Sequence, residues 1–143
     1  MIAVDTNILV HAHRRDSELH ASAKERIGQL ARGSASWAIP WPCLHEFYSV
    51  VTHPRIFDPP STPAEAIEQV RVWVEAPSAS VLTESRNHLA ALESLVVSAA
   101  VTGGQIHDAR IAAICLSNGV SELVTLDRDF SRYPQLRTRG LPT

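Results

Sequence analysis

Apolar residues along this chain fall into short runs separated by longer stretches in which they recur every three or four positions. Ile2-Ala3-Val4, Trp37-Ala38-Ile39, Ser80 to Thr83 and Leu123-Val124-Thr125-Leu126 are the short runs. Each predicts a strand, the last most clearly and the third weakly. Helical spacing starts at Ile8, again from about Ser17 to Ala31 with Gly33 as its stop, and from Pro42 through Leu44, Phe47, Tyr48 and Val51. Thr62-Pro63-Ala64-Glu65 has the form of a capping box with proline in the first turn, so a helix to about Glu75 is expected, stopped by Pro77. Two more helices follow, one through Leu89, Leu92 and Val96 up to Gly103-Gly104, the other from Gln105 to Ser117 and ended by Asn118-Gly119. Short apolar strands alternating with amphipathic helices imply a parallel sheet covered on both faces. The expected fold is therefore α/β, a three-layer α/β/α sandwich with a short parallel central sheet. The densest break, Asp58-Pro-Pro-Ser-Thr-Pro, is only loop-sized, so residues 1–143 read as one domain.

Composition changes this picture little and excludes several classes. Hydrophobic residues make up 45% and charged residues 20% of 143, an ordinary globular balance. No apolar run approaches the length of a membrane span, and Asp5 interrupts the N-terminal apolar stretch, so neither a spanning helix nor a secretory signal is expected. That suits a cytoplasmic protein. Cys43 and Cys115 are expected to be reduced core residues. The net charge of -2 offers no global attraction for nucleic acid. Its distribution is uneven: residues 128–143 hold Arg128, Arg132, Arg137 and Arg139 against one acid. Arginine is the better fork for phosphate. Phosphate-loop, dinucleotide and serine-hydrolase signatures are all missing from the sequence.

In an open parallel sheet the functional crevice lies beyond the carboxyl ends of the strands. Asp5 and Asp127 follow predicted strands directly, and Glu46 and Asp108 lie near the starts of helices, in otherwise apolar surroundings. Four converging carboxylates repel one another unless a counter-charge is present. A hard divalent cation such as Mg²⁺ or Mn²⁺ supplies it through oxygen ligands, and such a site suits phosphodiester hydrolysis. Thr6 and Asn7 add short polar groups that can orient Asp5 or a water. Asp127 is expected to be better fixed than Asp129, since a strand through Leu126 would hold it while Asp129 sits in a turn beside Arg128 and Arg132. Zinc finds no paired ligand pattern among His11, His13, His20, Cys43 and His45.

Taken in order, these motifs resemble the PIN-domain ribonucleases, and within them the VapC toxins of bacterial toxin–antitoxin pairs. Val4-Asp5-Thr6-Asn7 resembles the first acid motif, Glu46 in Leu44-His45-Glu46-Phe47 the second, Asp108 in His107-Asp108-Ala109 the third. Thr125-Leu126-Asp127-Arg128-Asp129-Phe130 resembles the fourth, whose Asp-x-Asp-Phe ending is distinctive. The resemblance implies Mg²⁺- or Mn²⁺-dependent cleavage of RNA, a homodimer, and neutralisation by a cognate VapB antitoxin. Asp5 and Asp108 would hold the principal metal, with Glu46 and Asp127 completing the cluster. Asn7, Thr6 and Asp129 would be auxiliary, and Arg128, Arg132, Arg137 and Arg139 would hold RNA phosphates. The alternative is a PIN-like module that binds RNA or a partner without cutting; such modules typically lose an acid, and here all four stand. A haloacid-dehalogenase-type phosphatase fails, because it needs a second acid where this chain has Asn7 and a later catalytic lysine where it has only Lys24.

Overall fold

The computed structural model describes residues 1–142. Its strands are β1 (Ile2–Val4), β2 (Trp37–Pro40), β3 (Ala79–Leu82), β4 (Glu122–Val124) and β5 (Arg137–Arg139). The helices are α1 (Thr6–His13), α2 (His20–Arg32), α3 (Trp41–Val51), α4 (Pro63–Val74), α5 (His88–Ser98) and α6 (Ile106–Ser117), with 3₁₀ turns at Gly103–Gln105 and Arg128–Arg132. No helix among the described residues is long and apolar enough to cross a membrane.

All strands run parallel, in the order β3-β2-β1-β4-β5. The chain steps outward from β1 to β2 to β3, then returns across the sheet to place β4 on the other side of β1. Right-handed crossovers put α1 to α4 on one face and α5 and α6 on the opposite one. In accord with this, α1 packs on α2 and α3, α3 on α4, and α5 on α6. Ala3, Val4, Ile39, Leu123 and Val124 are completely buried between these layers, with Ile8, Phe47 and Ile114 from the helices. This is the expected α/β/α sandwich. The reversal of strand order falls between β1 and β4, where an open sheet splits its loops and leaves a crevice.

Several boundaries differ from expectation, each for a local reason. Helix α1 starts two residues early because the Asp5 carboxylate accepts the Thr6 N–H at 2.8 Å and caps it. Helix α5 stops at Ser98, before the glycines: Ala100 takes φ 50° and the Val101 N–H turns back to the Val96 carbonyl at 3.1 Å. Strand β4 ends at Val124, so Leu126 lies outside it and is 37% exposed. The turn carrying Asp127 is therefore not held by a strand through Leu126, as the apolar run suggested. The fifth strand, Arg137-Thr138-Arg139, was not anticipated, because an exposed, charged edge strand has no hydrophobic signature.

Candidate active site: a carboxylate cleft at the strand reversal

The crevice between β1 and β4 contains a cleft of about 200 Å³ lined by Asp5, Thr6, Asn7, Glu46, Asp108 and Asp127, with His11 at its wall. The four acids named from the sequence thus come together from four elements. Asp5 leaves the end of β1, Glu46 projects from α3, Asp108 stands in the first turn of α6, and Asp127 opens the 3₁₀ turn after β4.

Two of these carboxylates sit in opposite situations. Asp5 is 4% exposed and fully engaged. Its Oδ1 accepts the Thr6 N–H at 2.8 Å and the Cys43 thiol at 3.5 Å. Its Oδ2 accepts the Thr125 hydroxyl at 2.7 Å and the Asn7 amide at 3.2 Å. Burial still pushes its pKa up, against the pull of those donors. Asp108 accepts no hydrogen bond among the described residues. Burial first, then the charges of Asp127, Asp5, Glu46 and Asp129, push it up to about 6. An acid held among other acids without a donor is a group arranged for a cation.

Oxygen atoms of Asp108, Asp127 and Asp129 lie within 4.8 Å of one another. An all-carboxylate set at this spacing fits a hard divalent cation such as Mg²⁺ or Mn²⁺. Asp129 is therefore part of the cluster, and it forms no ion pair with Arg128 or Arg132 among the described residues. Its own N–H donates to Asp127 Oδ1 at 2.8 Å, which ties the two acids into one turn. Glu46 is exposed and lines the cleft, with its Oε2 accepting the Thr6 hydroxyl at 3.1 Å and its other oxygen free of hydrogen bonds among the described residues.

Thr125 is the residue that sequence reasoning passed over. Its hydroxyl donates to Asp5 and accepts the Asp127 N–H at 3.0 Å and the Asn7 amide at 3.3 Å. Asn7 completes the link, since its Oδ1 accepts the Leu126 N–H at 3.1 Å. One hydroxyl and one amide therefore join the end of β1 to the turn after β4. The position of Thr125 immediately after a buried strand was the available signal. His11 was also passed over as a cleft residue; its Nδ1 meets the Ser17 hydroxyl, and burial lowers its pKa.

The arginines divide into two groups. Arg128 and Arg132 are exposed in the turn that carries Asp127 and Asp129. Arg137 and Arg139 lie on β5, and Arg139 is paired at 3.1 Å with Glu122, at the opposite end of β4 from that turn. Its guanidinium is engaged by Glu122, whereas Arg137 makes no ion pair among the described residues.

The raised Asp108 pKa carries a signed consequence. A carboxyl whose folded pKa exceeds its unfolded value of about 4 stabilises the fold fully below that value. The contribution is lost as pH rises through about 6. A bound divalent cation favours the ionised form and reverses the trend. In thermal melts, the gain in melting temperature from Mg²⁺ over EDTA is expected to be small near pH 4 and to grow through about pH 6. A gain that stays flat across this range would remove Asp108 from the metal site.

Comparison with known proteins agrees with the fold. A family model described as "PIN domain" matches residues 2–136. The VapC ribonuclease Mb2897 of Mycobacterium bovis is 35% identical over 139 residues, covering 97% of this chain and 94% of the relative. Ribonuclease VapC31 of Mycobacterium tuberculosis is 31% identical over 137 residues, 96% of each chain. Among solved structures, VapBC2 from Rickettsia felis bound to a DNA fragment from their promoter matches with a TM-score of 0.73 at 19% identity, covering 99% of this chain and 100% of the other. VapC20 of Mycobacterium tuberculosis, described as a Sarcin-Ricin loop cleaving toxin, matches with a TM-score of 0.66 at 18% identity over 92% and 93%. At those identities the structural likeness speaks for the fold.

Proposed function

The chain belongs to the PIN-domain family, and from that premise we propose that it is a metal-dependent endoribonuclease acting as the toxin of a VapBC-type toxin–antitoxin pair. One observation carries the reading most directly: Asp108 stands unpaired among Asp5, Glu46, Asp127 and Asp129, at the point where the strand order reverses. A module that only bound RNA would gain nothing from this repulsion, which opposes a phosphate backbone unless a cation is present. Relatives named VapC ribonucleases, aligned over nearly the whole chain, support the same assignment.

Asp108, Asp127 and Asp129 would hold Mg²⁺ or Mn²⁺, with Asp5 beneath them. All four acceptor positions of Asp5 are taken, so it ligates directly only by displacing its weakest donor, the Cys43 thiol at 3.5 Å. Otherwise it supplies charge through the cluster. A divalent cation in this place supplies Lewis acidity toward a phosphodiester oxygen and makes a nearby water more acidic. Glu46, steadied at Oε2 by Thr6, would take the proton of the attacking water on its other oxygen. Asn7 and Thr125 keep the Asp127 turn at fixed distance from Asp5. Arg128 and Arg132 would hold flanking phosphates.

The partner reading is an RNA substrate and a VapB-type antitoxin, supported by the VapBC complexes among the similar structures. A homodimer belongs to the same reading, as the resemblance to VapC toxins implies. An RNA-cutting toxin of this kind would act in the cytoplasm. The test is induced expression in a bacterial host. The parent chain is expected to arrest growth, and Asp5→Asn, checked for folding by circular dichroism, to leave growth normal. Equal toxicity of the two would sink the assignment.

A further inference from the structure

A second cleft, of about 330 Å³, adjoins the acid cleft and shares Glu46 and Asp108 with it. One wall is α3, through Pro42 and His45; the other is α6, through His107, Arg110 and Ile111. Its volume is at the lower end of the range for small-ligand sites, about 300–1,000 Å³. Nothing in the proposed chemistry uses these residues.

Their chemistry differs from that of the neighbouring cleft. His45 is exposed and stacks on Trp41, one helical turn earlier, at 5.8 Å between ring centroids and 25° between planes. Trp41 is 38% exposed, whereas Trp37 and Trp73 are 1% and 6% exposed. A large indole left in water beside a second aromatic ring is a ready platform for another flat ring. Across the cleft, the Nε of Arg110 is paired with Glu84, which orients the guanidinium. Its two terminal nitrogens have no partner among the described residues, and they form the fork that suits a phosphate. The cleft therefore offers the His45 ring, backed by Trp41 outside the lining, on one wall and a held cation on the other, next to two of the acids.

We infer that this cleft receives an unpaired RNA nucleotide adjoining the scissile phosphate, its base stacked on the His45–Trp41 pair and its phosphate held by Arg110. The inference rests on the nuclease reading of the acid cleft, and it assigns the nucleotide beside the cut to His45, Trp41 and Arg110. Base stacking on this pair needs a nucleotide free of a duplex. A nucleotide anchored here continues directly past Glu46 and Asp108 into the acid cleft.

The test is the binding of an eight-nucleotide single-stranded RNA of mixed sequence in Ca²⁺, followed by steady-state cleavage of the same RNA in Mg²⁺. Because Trp41 is the exposed tryptophan, the RNA is expected to quench tryptophan emission, and Trp41→Phe to remove most of that quenching. His45→Ala is expected to weaken binding about tenfold, as loss of one stacked base does, and His45→Phe to restore it. Arg110→Ala is expected to lower the salt slope by about 0.7, one phosphate's share on a single strand. In cleavage, His45→Ala and Arg110→Ala should raise KM about tenfold with kcat within about twofold, a split that misfolding does not produce. Parental affinity, salt slope and KM in both variants would overturn the subsite, as would failure of the parent to bind this RNA. If the variants weaken binding but the parent never cuts RNA in Mg²⁺, the nuclease reading fails and the subsite stands. If the parent cuts and the variants match it throughout, the subsite fails and the nuclease stands.

Discussion

Asp108→Asn is expected to lower single-turnover RNA cleavage by at least about a hundredfold while raising thermal stability in EDTA above that of the parent. Loss of a group that only orients a metal ligand typically costs about 10–100-fold, so loss of a ligand charge itself should cost no less. The stability gain follows from the surroundings. At neutral pH the Asp108 carboxylate is ionised next to Asp127, Asp5, Glu46 and Asp129, and it accepts no compensating hydrogen bond among the described residues. An amide of nearly the same shape removes the repulsion and strands no donor. A catalytic group whose removal stabilises the fold is one held in place against its own preference. Melts at pH 7.5 in EDTA and in Mg²⁺ check both halves: the variant should melt higher than the parent in EDTA and gain less from Mg²⁺. A variant that melts lower in EDTA and cuts RNA as the parent does would mean that Asp108 is an ordinary helix-start acid.

Thr125→Val should damage the site from a distance. Valine keeps the branched shape but leaves the buried Asp5 Oδ2 without its 2.7 Å donor and the Asp127 N–H without its 3.0 Å acceptor. An unmet buried polar group costs about 1–3 kcal/mol, so a comparable loss of stability is expected in urea unfolding. Cleavage should fall about 10–100-fold, because the Asp127–Asp129 turn loses its tie to Asp5. Thr125→Ser, which restores the hydroxyl, should recover most of both. If the serine variant is as impaired as the valine one, Thr125 acts through packing and not through its hydroxyl.

The contrast between these two residues shows what the sequence carried and what it did not. Asp108 was legible as a candidate because it is an acid at a helix start flanked by the apolar Ile106 and Ile111, in a motif that resembles the third acid motif of the family. The layers and parallel sheet were legible from periodicity, since β1, β2 and β4 are apolar enough to be buried on both faces. Thr125 was not legible, because a threonine at the end of an apolar run reads as one more strand residue. Only the contacts with Asp5, Asn7 and Asp127, the first two 120 and 118 positions away, give its hydroxyl a role. The same run misled the placement of Asp127: Leu126 is apolar, yet it is 37% exposed and lies outside β4. Strand β5 escaped for the complementary reason, since its arginines face solvent and its pairing with β4 is made through the backbone. Arg139 then finds Glu122 as partner, a contact that depends on that unforeseen register.

The most direct test is cleavage of a labelled single-stranded RNA by the purified protein in Mg²⁺ or Mn²⁺, set beside the same reaction in EDTA. Asp108→Asn protein, purified in parallel, serves as the gauge of contaminating nuclease. The expected result is cutting in the divalent cation, none above the Asp108→Asn background in EDTA, and recovery when Mg²⁺ is returned in excess. Full cleavage in EDTA, above that background, would contradict the account.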